Sequence, residues 1–157
     1  CVSLSSGSAW ETSGVSAAWV RDNVTGQPVT IATSGVLGGF ALAFGATTSC
    51  AVCSMGVYTD ATGTPGALVA EATGSCGTEG GTNELALSAP VALSPGTYWP
   101  VFYVTNCSTA FPQVRTAPSG TVTTVSKAHF STTLPDPYGT PDFTYPHAEL
   151  AVWLLGN

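Results

Sequence analysis

The only histidines, His129 and His147, fall in the last third of the chain, close to Asp136 and Asp142. A Ser–His–Asp hydrolase would draw one of each into a triad, because the imidazole must take a proton from the nucleophile while a carboxylate orients it. No Ser, however, stands in a Gly-x-Ser-x-Gly elbow. The simpler reading is that each His ends or begins a strand beside a proline-rich loop. A glycosidase needs two carboxylates flanking one bond. The nine acids are spread along the chain in no catalytic pattern and read as surface charge. Asp60, Asp136 and Asp142 sit in turn-rich loops of the kind that hold calcium, but none follows an EF-hand or repeat spacing. Asp60 is read instead as the residue capping its own turn. The expectation is a chain without catalytic residues, cofactor or metal.

The five cysteines carry the remaining chemistry. Cys50 and Cys53 form the only close pair, and Cys76 and Cys107 stand alone, so a zinc ribbon lacks its second pair. A thioredoxin-like pair would need a strand-to-helix setting, and no stretch has helical periodicity. Structural disulfides in an oxidising compartment are the better reading. The segments Asn23-Val24-Thr25 and Asn106-Cys107-Ser108 match the acceptor pattern for N-linked glycans, in a host that glycosylates.

Aromatic side chains offer a third chemistry, stacking on the faces of sugar rings. Tyr138 and Tyr145, with Asp136 and Asp142, form a candidate ligand loop, and Trp10 or Trp99 could serve likewise. For Trp99, Phe102 and Trp153 the reading as core is preferred, because they fall at strand spacing.

Charge excludes other classes. Only 8% of residues are charged and the net charge is −6. The three basic residues, Arg21, Arg115 and Lys127, are scattered, so the clustered cations that nucleic acid or an anionic membrane requires are missing. No apolar run approaches the roughly 20 residues of a transmembrane helix. A surface so poor in charge is weakly protected against self-association.

The elements that must position these residues are strands. Strand signals are short and frequent, with turn formers every eight to twelve residues, and predict an all-β antiparallel sandwich or jelly roll of about nine to ten strands. Residues 1–14 read as a Ser/Gly-rich arm, and 15–157 as a single domain. Residues 35–44 are apolar enough for a central strand. In residues 97–105, alternation puts Trp99, Val101 and Tyr103 on one face and Tyr98, Phe102 and Val104 on the other. Pro100 cannot donate to a ladder, which predicts an edge or a bulge there. Residues 134–146 read as a loop with four prolines.

The stretches Met55-Gly-Val-Tyr-Thr-Asp60, Gly63-Thr-Pro-Gly-Ala-Leu68 and Leu93-Ser-Pro-Gly-Thr-Tyr-Trp99 resemble a recurring extracellular module of bacterial surface proteins and phage tail-fibre or tail-tip proteins. The resemblance covers roughly residues 35–105. It implies a β-sandwich used for display, attachment or assembly, with no catalytic residues to carry over. The cysteines depart from the phage pattern and shift weight toward a bacterial or otherwise secreted protein.

The residues also predict a hairpin, with 53–58 paired to 67–73 around Asp60–Gly66. A turn centred on Gly63 places residue 50 opposite residue 76, which predicts the bonds Cys50–Cys76 and Cys53–Cys107. One bulge would exchange the roles of Cys50 and Cys53. Cys1 is left over, to bond a neighbouring subunit, to carry a lipid, or to pair within the chain; the first is preferred. The function that follows is a non-catalytic subunit of a surface filament, appendage or virion, acting on copies of itself or a scaffold protein at the extracellular, cell or virion surface. The alternative is a monomeric carbohydrate-binding module with a glycan partner.

Overall fold

The computed structural model describes residues 18–19, 22–45, 49–77, 80–108, 113–117, 122–145 and 149–156. Cys1, the arm 1–14, Trp10 and His147 lie outside them.

The described residues are all β, as the turn spacing predicts. In chain order the strands are β1 (Ala18–Trp19), β2 (Asn23–Gly26), β3 (Val29–Ile31), β4 (Gly35–Ala43), β5 (Cys50–Asp60), β6 (Pro65–Cys76) and β7 (Thr82–Leu93). There follow β8 (Gly96–Cys107), β9 (Gln113–Val114), β10 (Thr116–Ala117), β11 (Thr124–Ala128), β12 (Phe143–Tyr145), β13 (Glu149–Leu150) and β14 (Val152–Gly156). The count exceeds nine or ten because several expected strands are split into pieces of two or three residues. A seven-stranded antiparallel sheet runs β12-β11-β2-β8-β5-β6, with β3 beside β8, and a three-stranded sheet runs β14-β4-β7.

The core between the sheets takes Leu37, Phe40 and Leu42 from β4, Met55 and Val57 from β5, Phe102 and Val104 from β8, and Val152 and Leu154 from β14. β4 is the central strand that its apolar run predicts. In β14 only alternate residues face this core, so Trp153, expected in the core, is only partly buried.

β8 has the two faces that alternation predicts. Phe102 and Val104 enter the core, while Trp99, Val101 and Tyr103 form a second buried cluster with Val24, Tyr58, Val125, Leu134 and Tyr138. The expected edge position of β8 is corrected. It lies inside the sheet, between β5 and the pair β2 and β3. Its register to β2 ends at Gly26–Val101 and resumes at Val29–Tyr98 in β3. Pro100 stands opposite this interruption: the Gln27 N–H still donates to the Pro100 carbonyl at 3.3 Å, but Pro100 returns no N–H and Pro28 has none either. A residue without an N–H is tolerated there at the centre of a sheet.

The β5–β6 hairpin forms as predicted, pairing Cys53 with Gly74 and Val57 with Ala70. At its turn the Asp60 carboxylate accepts the Gly63 N–H, at 3.1 and 3.2 Å, and Thr62 and Gly63 take left-handed φ of 57° and 89°.

The disulfide pairing differs from expectation. The bonds are Cys50–Cys107 and Cys53–Cys76. Cys50 is indeed the Cα partner of Cys76, but the register shifts between Cys50 and Cys53. Against β8, the ladder runs unbroken from Cys50–Cys107 to Cys53–Val104. Cys50 and Cys53 both lie in the core cluster, on either side of this irregularity, with Cys76 buried beside them and Cys107 packed against it. Cys53 shares the core side with Met55 and Val57 and finds Cys76, while Cys50 finds Cys107. These bonds place the fold in an oxidising compartment. No helix among the described residues is long and apolar enough to cross a membrane.

Candidate functional site

A strap of chain after β11, residues 129–142, crosses the outer face of the seven-stranded sheet, and most of the sequence candidates lie on it. Its underside is apolar, with Leu134 and Tyr138 buried over Tyr58, Trp99 and Val101. Its backbone is tied down by polar groups of the sheet. Ser54 donates its hydroxyl to the Thr132 carbonyl, and Tyr58 donates to the Pro135 carbonyl at 2.5 Å. The Glu71 carboxylate accepts the Leu134 N–H at 3.0 Å. Buried backbone groups in a loop need such partners, and this strap draws them from the strands beneath.

Asp136, Tyr138 and Asp142, expected to meet a ligand, are parts of this clamp. Asp136 accepts the Leu68 N–H at 3.0 Å, and Tyr138 donates its own N–H to the Gly66 carbonyl at 3.0 Å. Together they cover the outer edge of β6 and satisfy backbone groups that would otherwise invite strand pairing. Tyr138 is fully buried, sets its ring edge-on to Tyr58 at 5.5 Å, and donates its hydroxyl to the Val24 carbonyl at 2.7 Å. Asp142 accepts the Ala128 N–H at 2.8 Å and fixes the return of the chain to β11.

Other candidates are similarly engaged. The His129 ring bonds the Thr133 carbonyl at 2.7 Å and meets Tyr103 edge-on. Asp60 accepts the Trp99 indole N–H at 2.8 Å. Among the described residues no three His, Cys, Asp or Glu converge on a point where a metal ion could sit. Asn23 is paired to Ala128 within the sheet, whereas Asn106 is exposed at the end of β8 with a left-handed φ of 51°.

Burial pushes the Tyr58 and Tyr138 phenols well above their ordinary range, helped at Tyr58 by Glu71 and at Tyr138 by Asp142. Both stay protonated and donate. A group whose pKa is raised on folding contributes stability that is complete below its unfolded value, about 10 for Tyr, and lost as pH rises beyond it. The unfolding midpoint should therefore not fall on account of these phenols until about pH 10, then drop as pH rises further. Tyr58→Phe should cost about 1 kcal/mol at neutral pH and flatten the alkaline drop, as thermal melts across pH would record.

Of the four candidate ligand-loop residues, Tyr145 alone faces solvent with its side chain uncommitted by a described bond. It lies on β12, the terminal strand of the large sheet, two residues from Phe143. The two rings are 56% and 48% exposed for Phe143 and Tyr145. Their centroids are 6.2 Å apart with planes inclined by 25°. The register carries Phe143, Ser126, Thr25 and Phe102 across four strands on one face. Along that line the face passes from apolar core at Phe102, through the Thr25–Ser126 hydroxyl pair at 3.1 Å, to an open aromatic ledge.

No protein-family model and no curated protein matches the chain. One solved structure to which it is similar is chitosan-binding module 1 derived from a chitosanase/glucanase from Paenibacillus sp. IK-5, at 18% identity and a TM-score of 0.38. The match covers 73% of this chain and 87% of that one.

Sequence reasoning missed Phe143 because residues 134–146 read as loop. The signal was nevertheless present: Phe143-Thr-Tyr145 has the period-two spacing that puts both rings on one face of even a three-residue strand.

Proposed function

We propose that this chain is a non-catalytic extracellular glycan-binding module that holds polysaccharide on the Phe143–Tyr145 ledge. The observation that carries the reading is two neighbouring aromatic rings, stacked and half exposed, on one face of a terminal strand. A pyranose offers such rings a flat patch of C–H groups, and Tyr145 adds a hydroxyl at the wet end. The Asp136, Tyr138 and Asp142 clamp supports the ledge from behind by fixing the chain that leads into β12.

The test is affinity electrophoresis or calorimetry against a panel of soluble polysaccharides. Wild type should bind at least one of them. Phe143→Ala with Tyr145→Ala should lose about 1–1.5 kcal/mol per ring, a drop in affinity of roughly 30- to 150-fold. The melting temperature should barely move, because both rings are already half exposed. Equal binding by the double variant, or no binding by wild type, would reject the reading.

A second reading, as a subunit assembling with copies of itself or a scaffold, draws on Phe130, which is 85% exposed. A surface this poor in charge is weakly protected against association, and an exposed apolar ring on it would be a point of contact. Light scattering of wild type and Phe130→Ser separates the two: assembly lost with Phe130 and indifferent to the ledge favours the subunit.

A further inference from the structure

The two disulfides differ in surroundings. Cys53 and Cys76 are wholly buried in the core between the sheets. Cys50 belongs to the same core cluster and Cys107 packs against it, but these two residues also line an open cleft of about 330 Å³ at the ends of β5, β6 and β8. Cys50 is only 2% exposed, whereas Cys107 is partly exposed. The rest of the wall includes the hydroxyls of Ser49, Ser75 and Ser108 and the amide of Asn106. Among the described residues the wall carries no charged side chain. Thiol–disulfide exchange needs a thiolate to reach one sulfur with the other as leaving group, so access decides which bond reacts.

We infer that Cys50–Cys107 is a thiol-exchange site, at which a small hydrophilic thiol enters the cleft and is held as a mixed disulfide on Cys107 while Cys53–Cys76 stays closed. The thiolate attacks the Cys107 Sγ and forms the new S–S bond. The Cys50–Cys107 bond breaks, and Cys50 leaves as a thiolate that takes a proton from water. Return attack by Cys50 expels the thiol and restores the original bond, so the exchange is reversible. The Ser108 hydroxyl accepts the Ser49 N–H at 3.1 Å, and the Ser75 hydroxyl and the Asn106 amide supply neutral donors and acceptors for the amide and carboxylate groups of a cysteine-containing peptide. The sheet survives opening, because β5 and β8 remain paired from Val52–Thr105 through Thr59–Tyr98.

The site is independent of the ledge, and its test reads sulfur chemistry rather than glycan binding. Folded Cys1→Ser protein, which removes the fifth thiol, is incubated with glutathione, quenched with acid and alkylated. A Glu-specific protease cuts at Glu79 and Glu84, separating the peptides of Cys76 and Cys107, and mass spectrometry reads each. Glutathione or alkyl label should reach Cys107 at least about tenfold faster than Cys76, with the circular dichroism unchanged. Equal rates at both, earlier labelling of Cys76, or no adduct on Cys107 until the chain unfolds would overturn the inference.

Discussion

Replacing Tyr138 by Ala should lower folding stability by about 3–5 kcal/mol, the range for removing a large buried aromatic side chain. The expectation rests on where the ring sits. It is fully buried beneath the strap, packs edge-on against Tyr58, and donates the hydrogen bond that satisfies the Val24 carbonyl. Truncation would leave a cavity on the outer face of the sheet and an acceptor without its donor. Tyr138→Phe divides these losses, since it keeps the ring and removes only the hydroxyl. It should cost about 1–3 kcal/mol. Denaturant melts of the two variants give both numbers. The strap would also loosen, so hydrogen exchange should rise across residues 129–142 in Tyr138→Ala before it rises in β5 or β8. A cost below about 1 kcal/mol would mean that the strap is surface decoration.

How much of this was legible in the sequence depends on whether local pattern or distant packing decided the outcome. The two faces of β8 and the β5–β6 hairpin follow from alternation and turn chemistry, which act over a few residues. The sandwich class follows from strand frequency. Pro100 misled because the rule against proline in a central strand assumes an unbroken neighbour. Here the neighbour is interrupted at Gln27–Pro28, and nothing near Pro100 in the sequence announces that. The composition around Asp136, Tyr138 and Asp142 suits a ligand loop and a clamp alike. What distinguishes the two is which backbone groups of β2, β6 and β11 need partners, and that is fixed only once the sheet is assembled. Tyr145 kept its solvent-facing role because it stands on an edge strand, beyond the reach of the strap.

The cysteines carry the same lesson to a second large effect. The register around Gly63 was sound, since Cys50 does face Cys76 across the hairpin. The irregularity between Cys50 and Cys53 then turns the side chains, so Cys53, on the core side with Met55, bonds Cys76. Removing that bond as Cys53→Ala with Cys76→Ala should cost about 3–5 kcal/mol. The loop-entropy part is about 3 kcal/mol for residues 23 apart in sequence, and the rest is the space two sulfurs leave in a close-packed core. On loop entropy alone, Cys50–Cys107, with a separation of 57, would contribute more, about 4 kcal/mol. Cys107, however, is partly exposed, so this bond leaves less new space in the core than two wholly buried sulfurs do. With Cys53–Cys76 intact, the loop that Cys50–Cys107 closes is also shorter than its sequence separation. Cys50→Ala with Cys107→Ala should therefore be the milder pair, by about 1 kcal/mol or more. Unfolding of the two double variants in denaturant orders them. If the cleft pair proves the more damaging, chain entropy rather than core packing governs the contribution of these bonds, and opening Cys50–Cys107 by a thiol would destabilise the sheet it is expected to leave intact.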